Sequence, residues 1–343
     1  MKKVIVRSLF LCLVTVILFY YILKDNFNES ILLLSKSNLI YIFFAIVCYV
    51  CFILLEAYLI KILINKINKK YSMKKASILT IMTRFFNGIT PFSVGGEPLQ
   101  VYELSKENIK ISDSILIITE AFIIHEIAVC FLALISIICK IIFHLNPNNF
   151  VWSITLIGFF VNFIIIFVVT FISIKINVAK KIGDFFIKLL NRLNIIKNKD
   201  KTIEEWHNKC TEYSIGYKEL LKNKSFLLNG VLIIVGSMLF YFLIAYFSVL
   251  AIDATVNINV IYSLILSSLI YISATFIPIP GGSVGIEYCY LNYFALLIPE
   301  NIVITSLVVW RFISFYLPMI IGGIVFNIID NKRTLKCKEE NKN

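Results

Sequence analysis

The sequence predicts an all-α polytopic integral membrane protein: about six full spans plus two re-entrant helical hairpins of opposite orientation, arranged as an inverted repeat. Three observations predict it. Hydrophobic residues make up 59% of the 343 and charged residues only 16%, against about 25% charged in a soluble domain. Several apolar runs exceed the roughly 20 residues that a helix needs to cross a bilayer. The basic residues are gathered into a few loops between those runs.

The first run, MKKVIVRSLFLCLVTVILFYYIL, has the basic start of a signal peptide. It is long, and no A-x-A cleavage site follows, so it reads as a retained helix at 5–23. Full spans follow at 39–64, 113–142, 150–174, 229–252 and 303–329. Two further apolar stretches, 77–104 and 259–298, are interrupted by Pro and Gly. The positive-inside rule assigns four regions to the cytoplasm: Lys2, Lys3 and Arg7; the cluster Lys66, Lys69, Lys70, Lys74 and Lys75; the loop 175–225, with twelve Lys and Arg; and the tail 331–343. All basic residues then lie inside except Lys24, Lys36 and Lys140 outside, and Arg84 and Arg311 within apolar segments. The expected location is the cell membrane with both termini cytoplasmic. Richness in Ile, Lys, Asn and Phe points to an AT-rich, bacterial genome.

The assignment holds only if each interrupted stretch enters and leaves on one side, 77–104 from the cytoplasm and 259–298 from outside. Residues 39–142 and 229–329 then become the same unit in opposite orientations, the plan of many transporters. Residues 1–330 form one membrane domain, which leaves no length for a soluble catalytic domain of about 100 residues.

Within the long loop, Val178, Ile182, Phe185, Phe186, Leu189, Leu193 and Ile196 recur at helical spacing, with Lys180, Lys181, Lys188 and Arg192 on other faces. This suits a helix on anionic inner-leaflet lipid, or one packed on its own protein. Thr202-Ile-Glu-Glu205 reads as a capping box opening a second helix. Cys48 and Cys51 have C-x-x-C spacing but fall mid-span, where cysteine behaves as a small hydrophobe. Neither cysteines nor histidines show metal-ligand spacing, so no metal or other cofactor is expected. With its charge explained by topology, no nucleic-acid partner is expected either.

The chemistry concentrates in the interruptions. The first, ITPFSVGGEPLQVYELSK, holds Pro91, Gly95, Gly96, Glu97 and Pro98. The second, FIPIPGGSVGIEYCYLNYF, holds Pro278, Pro280, Gly281, Gly282, Gly285 and Glu287. Proline removes a helical hydrogen bond, and glycine admits unusual geometry and close approach. Irregular backbone survives at membrane depth only where protein or a wet cavity surrounds it, so both breaks are expected to line a cavity. A half-helix starting near Pro98 would offer free N–H groups to phosphate. Glu97 and Glu287 suit a cationic headgroup or a proton, or, for Glu97, the cap of that half-helix. Arg311 and Arg84 suit phosphate, or pair with a glutamate. Glu56, Glu120, His125 and Glu126 read as packing or pairing residues.

Thr90-Pro91, Gly95 to Tyr102, Pro278-x-Pro280-Gly281-Gly282-x-x-Gly285-x-Glu287, and Arg311 followed by Gly322-Gly323 resemble, in order and spacing, the signatures of the lysylphosphatidylglycerol synthase transmembrane-region family. That family includes the flippase-like part of the multiple peptide resistance factor and stand-alone relatives. The resemblance covers roughly residues 5–330. It implies re-entrant helices and movement of an anionic or aminoacylated phospholipid, or another lipid-linked substrate, between leaflets. The aminoacyltransferase domain of the family's full-length members is not expected in this chain. Two alternatives stand beside it: a lipid-modifying transferase, named as phosphatidylglycerol lysyltransferase by inheritance, with Glu97 or Glu287 as general base; and a membrane scaffold for a separate synthase, working through the basic loop.

Overall fold

The computed structural model describes residues 27–67, 70–193, 198–275 and 277–340. The span expected at 5–23 lies outside them. The described residues form helices α1 (Phe27–Ser35), α2 (Leu39–Asn65), α3 (Met73–Gly88), α4 (Gly96–Lys106), α5 (Ile111–Ile142), α6 (Asn149–Ile174), α7 (Ile176–Arg192), α8 (Lys199–Lys222), α9 (Lys224–Ile252), α10 (Val260–Ala274), α11 (Gly285–Phe294), α12 (Glu300–Arg311) and α13 (Leu317–Glu340). No strand occurs among them.

Among the described residues, five segments are long and apolar enough to cross a membrane: α2, α5, α6, α9 and the continuous run Glu300–Arg333 through α12 and α13. A π-helical turn, Phe312–Tyr316, joins the last two. Such turns insert into helices often at functional sites. Large side chains on these segments point outward: Phe160, Phe163 and Phe167 on α6 and Phe43 on α2 are each more than half exposed. Rows of bare aromatic surface on this scale demand hydrocarbon rather than water around them.

Asparagine starts five of these helices. Asn38, Asn148, Asn198, Asn223 and Asn259 each accept a backbone N–H from the first turn that follows, satisfying a donor that the helix itself cannot. This corrects the capping-box expectation at Thr202. The helix opens at Lys199, four residues earlier than a Thr202 cap requires. Asn198 is its cap, and the Thr202 hydroxyl donates back to the Asn198 carbonyl at 2.7 Å. Helix α1, not expected from hydropathy, is tied to α12 by Asn301 donating to Glu29 at 2.9 Å.

Helix α2 packs along α9, α3 against α13, and α10 against α5 and α6. The interrupted stretches are the helix pairs α3–α4 and α10–α11, and the turns at their breaks pack against each other.

Candidate functional site

Both breaks have the same backbone. Pro91–Ser93 and Pro280–Gly282 are short 3₁₀ turns. The two residues after each proline sit in the left-handed region: Phe92 and Ser93 at φ 56° and 54°, Gly281 and Gly282 at 66° and 62°. The following half-helices open at Gly96 and Gly285, equally far from their prolines. The second break meets the positive-φ requirement with glycine, at no steric cost. The first meets it with Phe and Ser. Gly95 and Gly96 serve close approach instead. A Cβ at Gly95 would strike Thr90 and the Phe86 carbonyl, and one at Gly96 would strike Thr83 and Asn87.

The carboxylates break this correspondence. Glu97 is the second residue of α4, but Glu287 is the third of α11. One residue is about 100° around a helix, so the two acids face different surroundings. Glu287 turns into the protein. Arg311 Nε donates to Glu287 Oε1 at 2.6 Å. Arg311 Nη2 also reaches the Gly281 carbonyl at 3.1 Å and Ser283 Oγ at 3.3 Å. Both charged side chains are 2% exposed, and the guanidinium lies 4.6 Å from the centre of the Phe315 ring. Arg311 is thus a clasp that ties the second break to the π turn.

The first break is capped from within. The Thr90 hydroxyl donates to the Phe86 carbonyl and accepts from Gly95 N–H at 2.9 Å. Asn87 Oδ1 accepts from Gly96 N–H at 2.6 Å. The N–H of Glu97 reaches its own carboxylate, and Pro98 has none. The free donors expected at a helix start near Pro98 are therefore taken. The helix begins two residues earlier, at Gly96, where the sequence supplies its own acceptors. Pro98 sits in the first turn, where its missing N–H disrupts nothing. Pro278 lies on the link from α10 into the second turn.

Arg84 faces Glu56 of α2, with which it forms an ion pair, and its guanidinium stacks 4.8 Å from the centre of the Phe52 ring. Its Nε is buried without a partner. His125 links the group further: Nδ1 is 3.7 Å from Glu56 and Nε2 is 3.2 Å from the Tyr271 hydroxyl. Arg84 and Glu97 are electrostatic neighbours, as are Glu97 and Glu126. Oε2 of Glu97 and Oε2 of Glu126 are both buried without partners, as is the Tyr49 hydroxyl. Unfilled hydrogen-bond capacity of this kind is unusual in a protein interior. Here it converges from α2, α3, α4 and α5. Glu120 stands apart, paired with Lys66 at 3.0 Å.

The structure thus separates the residues read from sequence into two groups. Glu287, Arg311 and the Gly281 carbonyl build a buried clasp beside Gly282, in which Glu287 Oε2 is left without a partner. Glu97 and Arg84 join Glu56, His125 and Glu126 in a centre with open valences. Tyr49 and Tyr271 were not anticipated; their one signal is a phenol where an apolar span usually carries Phe.

A bundle of membrane-length helices with two broken helix pairs meeting beside buried ionisable groups defines a polytopic membrane protein. Residues 4–322 match the family described as lysylphosphatidylglycerol synthase TM region, and the chain belongs to that family. It is also similar to a UPF0104 membrane protein of Archaeoglobus fulgidus, 24% identical over 322 residues, which cover 92% of this chain and 93% of that one.

Proposed function

We propose that this protein moves a lipid with an anionic or aminoacylated headgroup between the leaflets of a cell membrane, past the meeting point of the two breaks. The observation that carries this reading is the open-valence centre beside the first break. Intramembrane ionisable groups are costly and mark substrate or ion pathways. Arg84 Nε has a donor to offer a phosphate oxygen, and Glu97 Oε2 an acceptor for a cationic headgroup or a proton. Arg311 and Glu287, read from sequence for the same two tasks, pair with each other and hold the second break in shape, with Glu287 Oε2 alone of the pair's carboxylate oxygens unpartnered.

The reading includes an inverted repeat, α2 to α5 and α9 to α13, with cytoplasmic termini. Exchange of packing partners supports it. Helix α2 packs on its counterpart α9, α3 on α13 as α10 on α5, and turn on turn. A two-fold axis in the membrane plane produces that exchange.

The test is transport of fluorescent phosphatidylglycerol and of its lysyl ester in proteoliposomes. Glu97→Gln and Arg84→Gln are expected to lower the rate at least tenfold while the protein remains folded. Wild-type rates in both variants would refute the assignment.

A further inference from the structure

The α7–α8 pair sits outside the helical bundle and is not used by the translocation reading. Helix α6 crosses the membrane and ends at Ile174, and α7 starts at Ile176. One residue, Lys175, separates them. At the other end only Asn223 separates α8 from the membrane-length α9. Two single-residue links hold the pair at the membrane boundary. Helix α8 packs on α5, α6 and α9, with Tyr213 and Tyr217 bonded to Ser173 and Thr170 of α6. Helix α7 packs on α8: Gly183 receives the Trp206 indole, Ile187 is buried, and Asp184 lies 2.9 Å from His207.

At about 100° per residue, Ile182, Phe185, Phe186, Leu189 and Leu193 fall within an arc of about 100° on another face of α7. All five are exposed, Phe185 at 64% and Leu193 at 61%. The edge of that arc away from α8 carries Lys181, Lys188 and Arg192 in a row along the helix. An apolar face bordered by cations, held at a bilayer boundary by its flanking spans, matches an anionic lipid surface in both shape and charge.

We propose that α7 is a lipid-binding element: its Ile182–Leu193 face inserts among acyl chains, and Lys181, Lys188 and Arg192 bind the phosphates of anionic phospholipids. This site is separate from the translocation centre and survives if that reading fails.

The test uses the full chain with Phe186→Cys carrying a nitroxide, in a background without other reactive cysteines. It is reconstituted in nanodiscs of phosphatidylcholine alone and with about 30% phosphatidylglycerol, which gives the bilayer a negative surface potential. The expected result is collision with oxygen in preference to a water-soluble nickel chelate, and a further fall in nickel access with phosphatidylglycerol. The triple change Lys181→Gln, Lys188→Gln, Arg192→Gln is expected to abolish that second effect and leave the first. Each cation near an anionic surface contributes roughly a fivefold bias. A nickel-accessible label in both compositions overturns insertion. Equal burial in both overturns the anionic preference. Spin–spin broadening at position 186 overturns the proposal in favour of a contact between two copies.

Discussion

At the scale of single residues, Arg311 and Glu287 are the pair on which the second break depends. Neither charge reaches solvent, so removing one strands the other. Loss of one partner of a buried ion pair costs about 3–5 kcal/mol, whereas replacing both with apolar residues of similar volume is often neutral. Arg311→Met and Glu287→Met are each expected to lower thermal stability in detergent by that amount, and the double variant to recover most of it. The recovery will fall short, because Arg311 also holds the Gly281 carbonyl and Ser283. Single variants within about 0.5 kcal/mol of wild type would overturn the clasp. Glu97→Gln, by contrast, should leave stability unchanged, since its buried Oε2 has no partner to lose. The sequence marked all three residues as exceptional, because charge inside an apolar run is visible without a structure. It did not say which of them satisfy each other. That depends on where a one-residue difference in register points each carboxylate.

At the scale of the element, the breaks were legible as breaks because Pro and Gly interrupt hydropathy so plainly. Their internal geometry was less so. The helix start at Gly96 is set by Thr90 and Asn87, ordinary polar residues whose acceptor role appears only once the turn is built. Nor does the sequence reveal that Val284 sits at φ 72°, ψ −52°, where a β-branched residue is a genuine outlier. Its side chain is 53% exposed, so little packing opposes a change there. Val284→Gly is expected to stabilise the protein by about 1 kcal/mol, the low end of the cost of holding a residue with a Cβ in a sparse backbone region. Gly281→Ala is expected to do the reverse by about 1–3 kcal/mol, because a Cβ at that positive φ meets the Phe315 ring. Thermal unfolding of both variants reads the two signs. Should Val284→Gly stabilise the fold and also slow transport, the strain belongs to the transport cycle, as it does where function holds backbone in sparse regions. Unchanged transport would make it incidental.

At the scale of the whole molecule, class and membrane-length segments were readable from hydropathy alone, because each span must bury its own backbone bonds and show lipid an apolar surface. What hydropathy cannot give is the side on which each broken pair opens. Charge supplies that: Lys74 lies in the opening turn of the first pair and Lys110 follows it, while the links around Thr255 and Leu296, flanking the second, carry no basic residue. The inverted-repeat reading requires both ends of α3–α4 to lie in the cytoplasm and both ends of α10–α11 to lie outside. A pair that crossed once would place its ends on opposite faces and break the exchange of packing partners between the halves. Single cysteines at Lys74, Lys110, Thr255 and Leu296, all exposed positions, can be probed in intact cells with a membrane-impermeant maleimide. Labelling is expected at Thr255→Cys and Leu296→Cys at once, and at Lys74→Cys and Lys110→Cys only after the membrane is opened. Labelling of one member of either pair without the other would make that stretch a full crossing. The halves would then no longer be the same unit inverted, and a translocation path between two opposed breaks would lose its geometric basis.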